Sequence, residues 1–159
     1  MKKILMSLAF FAILFLPYCE KKGIPVNVEA EKASINSVLE NYVKSVEGED
    51  LDLYAQTMAQ NPDMVNFGSS GEPIIGWEAL KKVIEDQNLA LSETKIEVSD
   101  QKIHVGTEGK LAWATSLWNF IAKIGENEIQ LPVRCTWILE KIENRWTIIH
   151  FHKSVATIG

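Results

Sequence analysis

The stretch Arg145-Trp146-Thr147-Ile148-Ile149-His150-Phe151-His152-Lys153-Ser154 decides how this chain is read. It is a strand whose two histidines stand at i and i+2, so both imidazoles share one face. Just ahead of it lies Arg134-Cys135-Thr136-Trp137-Ile138-Leu139-Glu140-Lys141. Taking Glu143-Asn144 as a two-residue hairpin turn pairs Ile142 with Arg145. Counting outward sets Trp137 opposite His150 and Cys135 opposite His152. One face then carries Val133, Cys135, Trp137, Leu139, Ile148, His150, His152 and Ser154. The other carries Arg134, Thr136, Ile138, Glu140, Thr147, Ile149, Phe151 and Lys153. The first face is the more apolar and is assigned to the interior. A bulge between the two strands would exchange the faces.

Upstream of the last strand, three long strands are expected over 94–105, 111–124 and 128–142, the third containing Arg134–Lys141, joined by turns at 106–109 and 125–127. Before them, Ile35, Val38, Leu39, Tyr42, Val43 and Val46 fall at spacings of three and four, an amphipathic helix that Gly48 ends. A second helix over 51–60 buries Leu51, Tyr54, Ala55 and Met58, and Asn61-Pro62-Asp63 breaks it. A strand at 64–68, a brief extended segment at 74–76 and a helix over 77–89 complete the pattern. Helices first and an antiparallel meander second make an α+β fold, with the helices covering one face of a curved sheet.

The front end is a separate problem. Lys2-Lys3 precede a mostly apolar run from Ile4 to Leu16, too short for the ~20 residues of a membrane-spanning helix and the size of a signal-peptide core. Leu16-Pro17-Tyr18-Cys19 follows, a Leu three residues before a Cys, and resembles a bacterial lipoprotein signal. Residues 1–18 are therefore expected to be a signal peptide, with Cys19 lipidated, 19–28 a tether and 29–159 one domain. An ordinary secretory signal or an uncleaved anchor are the alternatives, and all three imply export. The expected place is the bacterial cell envelope, periplasm-facing or at the outer membrane, with membrane contact only through the lipid; otherwise the protein is secreted.

Losing Lys2 and Lys3 takes two positive charges from a formal net charge of −5, leaving about −7. An acidic domain without a basic stripe is a poor nucleic-acid binder. Cys19 and Cys135 are the only cysteines, so no disulfide framework or cysteine zinc site is expected. His150 and His152 could reach one metal, but a third ligand at a persuasive spacing is lacking; neither metal nor cofactor is expected.

Several pieces carry a family resemblance. Val46-Glu47-Gly48-Glu49-Asp50-Leu51-Asp52-Leu53-Tyr54 is similar to a helix break, and Asn61-Pro62-Asp63-Met64-Val65-Asn66-Phe67 to a helix-to-strand turn, of the nuclear transport factor 2-like superfamily in its SnoaL-like branch. Thr136 ten residues ahead of Trp146, then Ile149-His150-Phe151-His152-Lys153-Ser154, give the sharpest likeness. The variant they most resemble is the association domain of calcium/calmodulin-dependent protein kinase II. The resemblance implies a cone-shaped α+β barrel wrapped around a long N-terminal helix, a pocket open at one end, and a homodimer through the outer sheet face. It also implies that Leu117, Trp137 and Lys153 stand where that kinase branch has pocket arginines, so two of three charges give way to apolar bulk.

By parity Thr115, Leu117 and Asn119 share a face and are placed in the same cavity. The expected ligand-binding set is Tyr54, Thr115, Leu117, Asn119, Cys135, Trp137, His150 and His152, suited to a small apolar or amphipathic molecule. Three functions compete. The first is an exported small-molecule-binding or accessory domain without chemistry. The second is a small lyase, isomerase or hydrolase using His152 as general base with Asp63 as its carboxylate. The third is an oligomerisation module, favoured by apolar Ile138, Ile149 and Phe151 on the outer face. The histidines could equally be buried rings satisfied by backbone.

Overall fold

The structure, a computed structural model, describes residues 25–69 and 71–155. The leader and Cys19 lie outside the described residues. Helix α1 (Val28–Glu47) starts where the Asn27 side chain accepts the Ala30 N–H and ends at Gly48. Helix α2 (Leu51–Thr57) is capped by Asp50, which accepts the Leu53 N–H at 2.8 Å. It stops three residues short of the 60 expected, because the chain turns extended at Met58 to run beside the last strand.

Two short strands, β1 (Val65–Asn66) and β2 (Ile74–Ile75), form a small antiparallel ladder. Helix α3 (Trp77–Ala90) follows. Its Gly76 N-cap has a φ of 82°, and a Cβ there would sit 2.7 Å from the Pro62 carbonyl oxygen, so only glycine fits.

Strands β3 (Ser92–Val105), β4 (Leu111–Ile124), β5 (Asn127–Ile142) and β6 (Arg145–Val155) make one antiparallel sheet in the order β3-β4-β5-β6. Two extra residues in β3, near Glu93 and Asp100 with φ of 51° and 50°, break its register with β4 and bend it. The α+β architecture expected from the sequence is the one observed: helices packed against a curved antiparallel sheet.

Ile35, Leu39, Tyr42 and Val46 form the buried stripe of α1. They pack against the concave sheet face, which presents Ala112, Ala114 and Trp118 from β4, Val133, Cys135, Trp137 and Leu139 from β5, and Ile148 and Phe151 from β6. The alanines on β4 give the helix and the Trp137 ring room to approach, and Ser116 accepts a hydrogen bond from Trp137 Nε1 at 3.4 Å. Trp146, at the start of the last strand, reaches back to the first helix. Its Nε1 donates to Glu31 on α1 at 2.7 Å, and Lys141 Nζ reaches the same carboxylate at 2.7 Å, tying the first helix to the last hairpin.

One irregularity in the final hairpin reverses the expected facing. Ile142 does pair with Arg145, and the count holds to Leu139 with Ile148. There β6 carries one extra residue: Ile138 pairs with His150, so Ile149 has no partner. Beyond that point Trp137 stands opposite Phe151, Thr136 opposite His152, and Cys135 opposite Lys153. The expected pairing of Trp137 with His150 and of Cys135 with His152 is therefore corrected. Phe151 and Lys153 turn inward, and His150 and His152 turn to the outer face, where His152 is exposed.

Candidate functional site

A cavity of about 450 Å³ lies between the concave face, helix α3 and the loop joining β1 to β2. Its apolar walls come from Leu80, Val83 and Ile84 on α3, Trp118 and Phe120 on β4, and Leu131 and Val133 on β5. Gly68, Ser69, Gly71 and Glu72 lie at its edge, and Tyr42, Phe151 and Lys153 line it as well. The volume is within the ~300–1,000 Å³ range of small-molecule sites.

Lys153 is the one cationic side chain among its described lining residues. The residue is half-buried, and its ammonium lies 4.8 to 5.6 Å from the ring centres of Trp118, Phe151, Tyr42 and Trp137. Nζ donates to Tyr42 Oη at 2.9 Å, and Tyr42 Oη lies 3.1 Å from Tyr54 Oη, so the amine heads a chain of two buried phenols. Among the described residues no carboxylate pairs with Lys153. Desolvation pulls its pKa down to about 8, and the neighbouring Cys135 thiol opposes that only weakly. The four ring faces favour the cation, each by about 0.5–2 kcal/mol depending on desolvation. Burial also raises both phenols well above the usual tyrosine value and the Cys135 thiol to about 11, so all three are neutral near pH 7.

The residues expected at the site are distributed differently. Cys135, Trp137 and Tyr54 are interior, at 3%, 1% and 0% exposure, and they form the packing beside the lysine rather than the cavity wall. Thr115, Leu117 and Asn119 do share a face, but it is the outer one: their register partners are Thr136, Arg134 and Pro132, while Ser116 pairs with interior Cys135. Parity groups residues without saying which group faces inward, and the apolar Leu117, 43% exposed, misleads.

Lys153, which the face assignment puts outside and the family resemblance puts in the pocket, is in the pocket. The bulge at Ile149 is the reason. Phe151, expected on an apolar outer face, is 2% exposed and interior.

Asp63 and His152 do not meet. Asp63 is exposed in a turn that Asn61 caps, Asn61 Oδ1 accepting the Asp63 N–H at 2.7 Å. It lines a separate, wide groove of about 1030 Å³ on the outer side, together with Glu140, Arg145, Ile149 and His150. There His150 Nδ1 donates to the Val65 carbonyl at 2.6 Å, and Phe67 lies edge-on to both imidazoles. His150 is thus satisfied by backbone. His104, on β3, stacks on Trp113 with ring centres 5.0 Å apart. No cluster of metal-ligating side chains is present among the described residues.

The architecture has many counterparts. A nuclear transport factor 2-like superfamily protein from Salmonella enterica superposes with a TM-score of 0.74 at 23% identity, covering 82% of this chain and 95% of that one. A candidate calcium/calmodulin-dependent protein kinase II association domain from Xanthomonas campestris gives 0.69 at 16% identity, covering 85% and 96%. A candidate scytalone dehydratase from Novosphingobium aromaticivorans gives 0.73 at 15%, covering 81% and 86%. At these identities the likeness is one of fold. No curated protein matches the chain in sequence. A family profile for a SnoaL-like domain matches residues 35–158, which takes in the α1 stripe, the cavity walls and Lys153. The chain belongs to the SnoaL-like domain family, within the nuclear transport factor 2-like fold.

Proposed function

We propose that this domain is an exported, lipid-anchored binding protein that holds a small amphipathic molecule. The apolar body lies against Trp118, Phe120, Leu131 and Ile84, and an anionic or carbonyl head meets Lys153. The observation that carries this reading is a desolvated ammonium lining an apolar cavity with no carboxylate partner among the described residues. A buried charge without a counter-ion is costly, and a ligand that supplies one regains that energy through a charge-assisted hydrogen bond.

The alternative that uses His152 as general base lacks geometric support. The ring is exposed on the outer face, and no carboxylate of the described residues orients it. The anchor is proposed from Leu16-Pro17-Tyr18-Cys19, and the mass of the mature N-terminus tests it. A homodimer is proposed through the outer face, where Leu111, Trp113 and Leu117 are 50%, 46% and 43% exposed beside Ile138.

Titrating the purified domain with octanoate and with octanol, read by tryptophan fluorescence, tests the pocket. Octanoate is expected to bind at least tenfold more tightly, with the preference lost in Lys153→Met. Equal affinity for acid and alcohol, or no saturable signal, refutes the reading.

A further inference from the structure

We propose that Lys153 is also a covalent capture site, its amine forming a reversible imine with a small apolar aldehyde that enters the same cavity. The proposal rests on the reading that this cavity receives a ligand's polar head at Lys153, and it adds a bond-forming step to it.

An amine adds to a carbonyl only when its nitrogen lone pair is free. Lys141, Lys123 and Lys95 are each bonded to a carboxylate at 2.7 to 2.9 Å, which holds the proton on. The groups facing Lys153 are different. Tyr42 from α1, with Tyr54 from α2 behind it, and Cys135 from β5 are neutral; Glu72, in the loop at the edge of the cavity, is the one carboxylate among the described lining residues. With a pKa of about 8, about a tenth of the molecules carry a neutral amine at pH 7.

The neighbouring groups also suit each step. The nitrogen lone pair attacks the carbonyl carbon, and the C=O π pair becomes a hydroxyl as a proton passes from nitrogen to oxygen. Tyr42 Oη, 2.9 Å from Nζ and backed by Tyr54 Oη, is placed to relay that proton. The carbinolamine then loses water, leaving C=N; nothing is oxidised or reduced. A protonated imine is itself a cation, so the rings of Trp118, Phe151, Tyr42 and Trp137 stabilise it as they do the ammonium. The apolar walls exclude water, which opposes hydrolysis back to the aldehyde.

Hexanal with sodium cyanoborohydride near pH 7.5, followed by peptide mass spectrometry, is the test. The expected result is a secondary-amine adduct at Lys153 that forms at least tenfold faster than at any other lysine. Its rate should climb between pH 6 and 8 and then level, where a surface lysine would keep climbing. Excess octanoate should suppress it, and Lys153→Arg should abolish it. Adducts spread over the surface lysines with Lys153 unmodified overturn the imine; if octanoate still binds, the binding reading survives that result.

Discussion

Glu31, in the first turn of α1, and Trp146, at the start of β6, are joined by a 2.7 Å hydrogen bond across 115 residues of chain. Lys141 completes the cluster, and its side chain and that of Glu31 are only 21% and 19% exposed. Glu31→Ala strands the indole N–H and the ammonium in a partly buried site, so a loss of about 1–3 kcal/mol is expected by urea unfolding. The hydrogen bonds from Lys141 and then Trp146 hold the Glu31 carboxyl below its usual pKa, against burial. A lowered carboxylate pKa contributes stability above the unfolded value and loses it as pH falls through the folded one. The gap between wild type and Glu31→Gln should therefore narrow on acidification below the ordinary carboxylate range; a gap that stays constant to low pH contradicts the assignment.

Lys153 gives the opposite signature. Its folded pKa, about 8, lies below its ordinary 10.5, so between those values the unfolded chain binds more protons. Stability attributable to this group should rise with pH through that window. Subtracting the Lys153→Met curve removes the other lysines and tyrosines, and the difference should amount to about 1–3 kcal/mol. A flat difference curve would mean that the ammonium is solvated.

His152 is an exposed residue opposite Thr136, outside the cavity. Replacing it with alanine should change stability by no more than about 0.5 kcal/mol. Octanoate affinity should stay within twofold of wild type, and a tenfold fall would put the imidazole back among the ligand contacts.

Ile149 is the extra residue of β6. Deleting it removes the bulge but keeps Leu139 opposite Ile148 and Ile138 opposite His150, so Phe151 and Lys153 should stay inward and both imidazoles outward. Circular dichroism should keep a cooperative transition, with a loss of no more than about 3 kcal/mol; an absent transition would contradict this register.

Trp113 and Leu117 are apolar yet roughly half exposed on the convex face. Charges there should split a face-to-face dimer: Leu117→Glu is expected to halve the mass measured by native mass spectrometry while leaving the thermal midpoint within a few degrees. An unchanged mass places the interface elsewhere.

The fold was legible because its signals are long and periodic. The Ile35-Leu39-Tyr42-Val46 stripe, the Gly48 stop and the Glu143-Asn144 turn each act through neighbours in sequence, and all three are found as expected. The pocket was less legible, since inward or outward depends on parity and parity depends on a bulge. Nothing between Ile148 and His150 marks Ile149 as unpaired; Ile-Ile-His reads equally well as regular strand. On β4 the useful signal was present in Ala112, Ala114 and Ser116, whose small size suits the face against which α1 packs. Leu117 and Trp113, being larger and apolar, suggested the reverse. Lys153 could be placed by resemblance but not by counting.

The outermost strand, β3, has one edge that pairs with no other strand among the described residues. Such an edge invites filament growth by strand addition. Here its two kinks, its salt-bridged Lys95 and Glu97, and the Glu47 carboxylate that accepts the Ile96 N–H at 2.7 Å all spoil it as a template. Crowded copies of this domain would thus be kept from polymerising edge to edge.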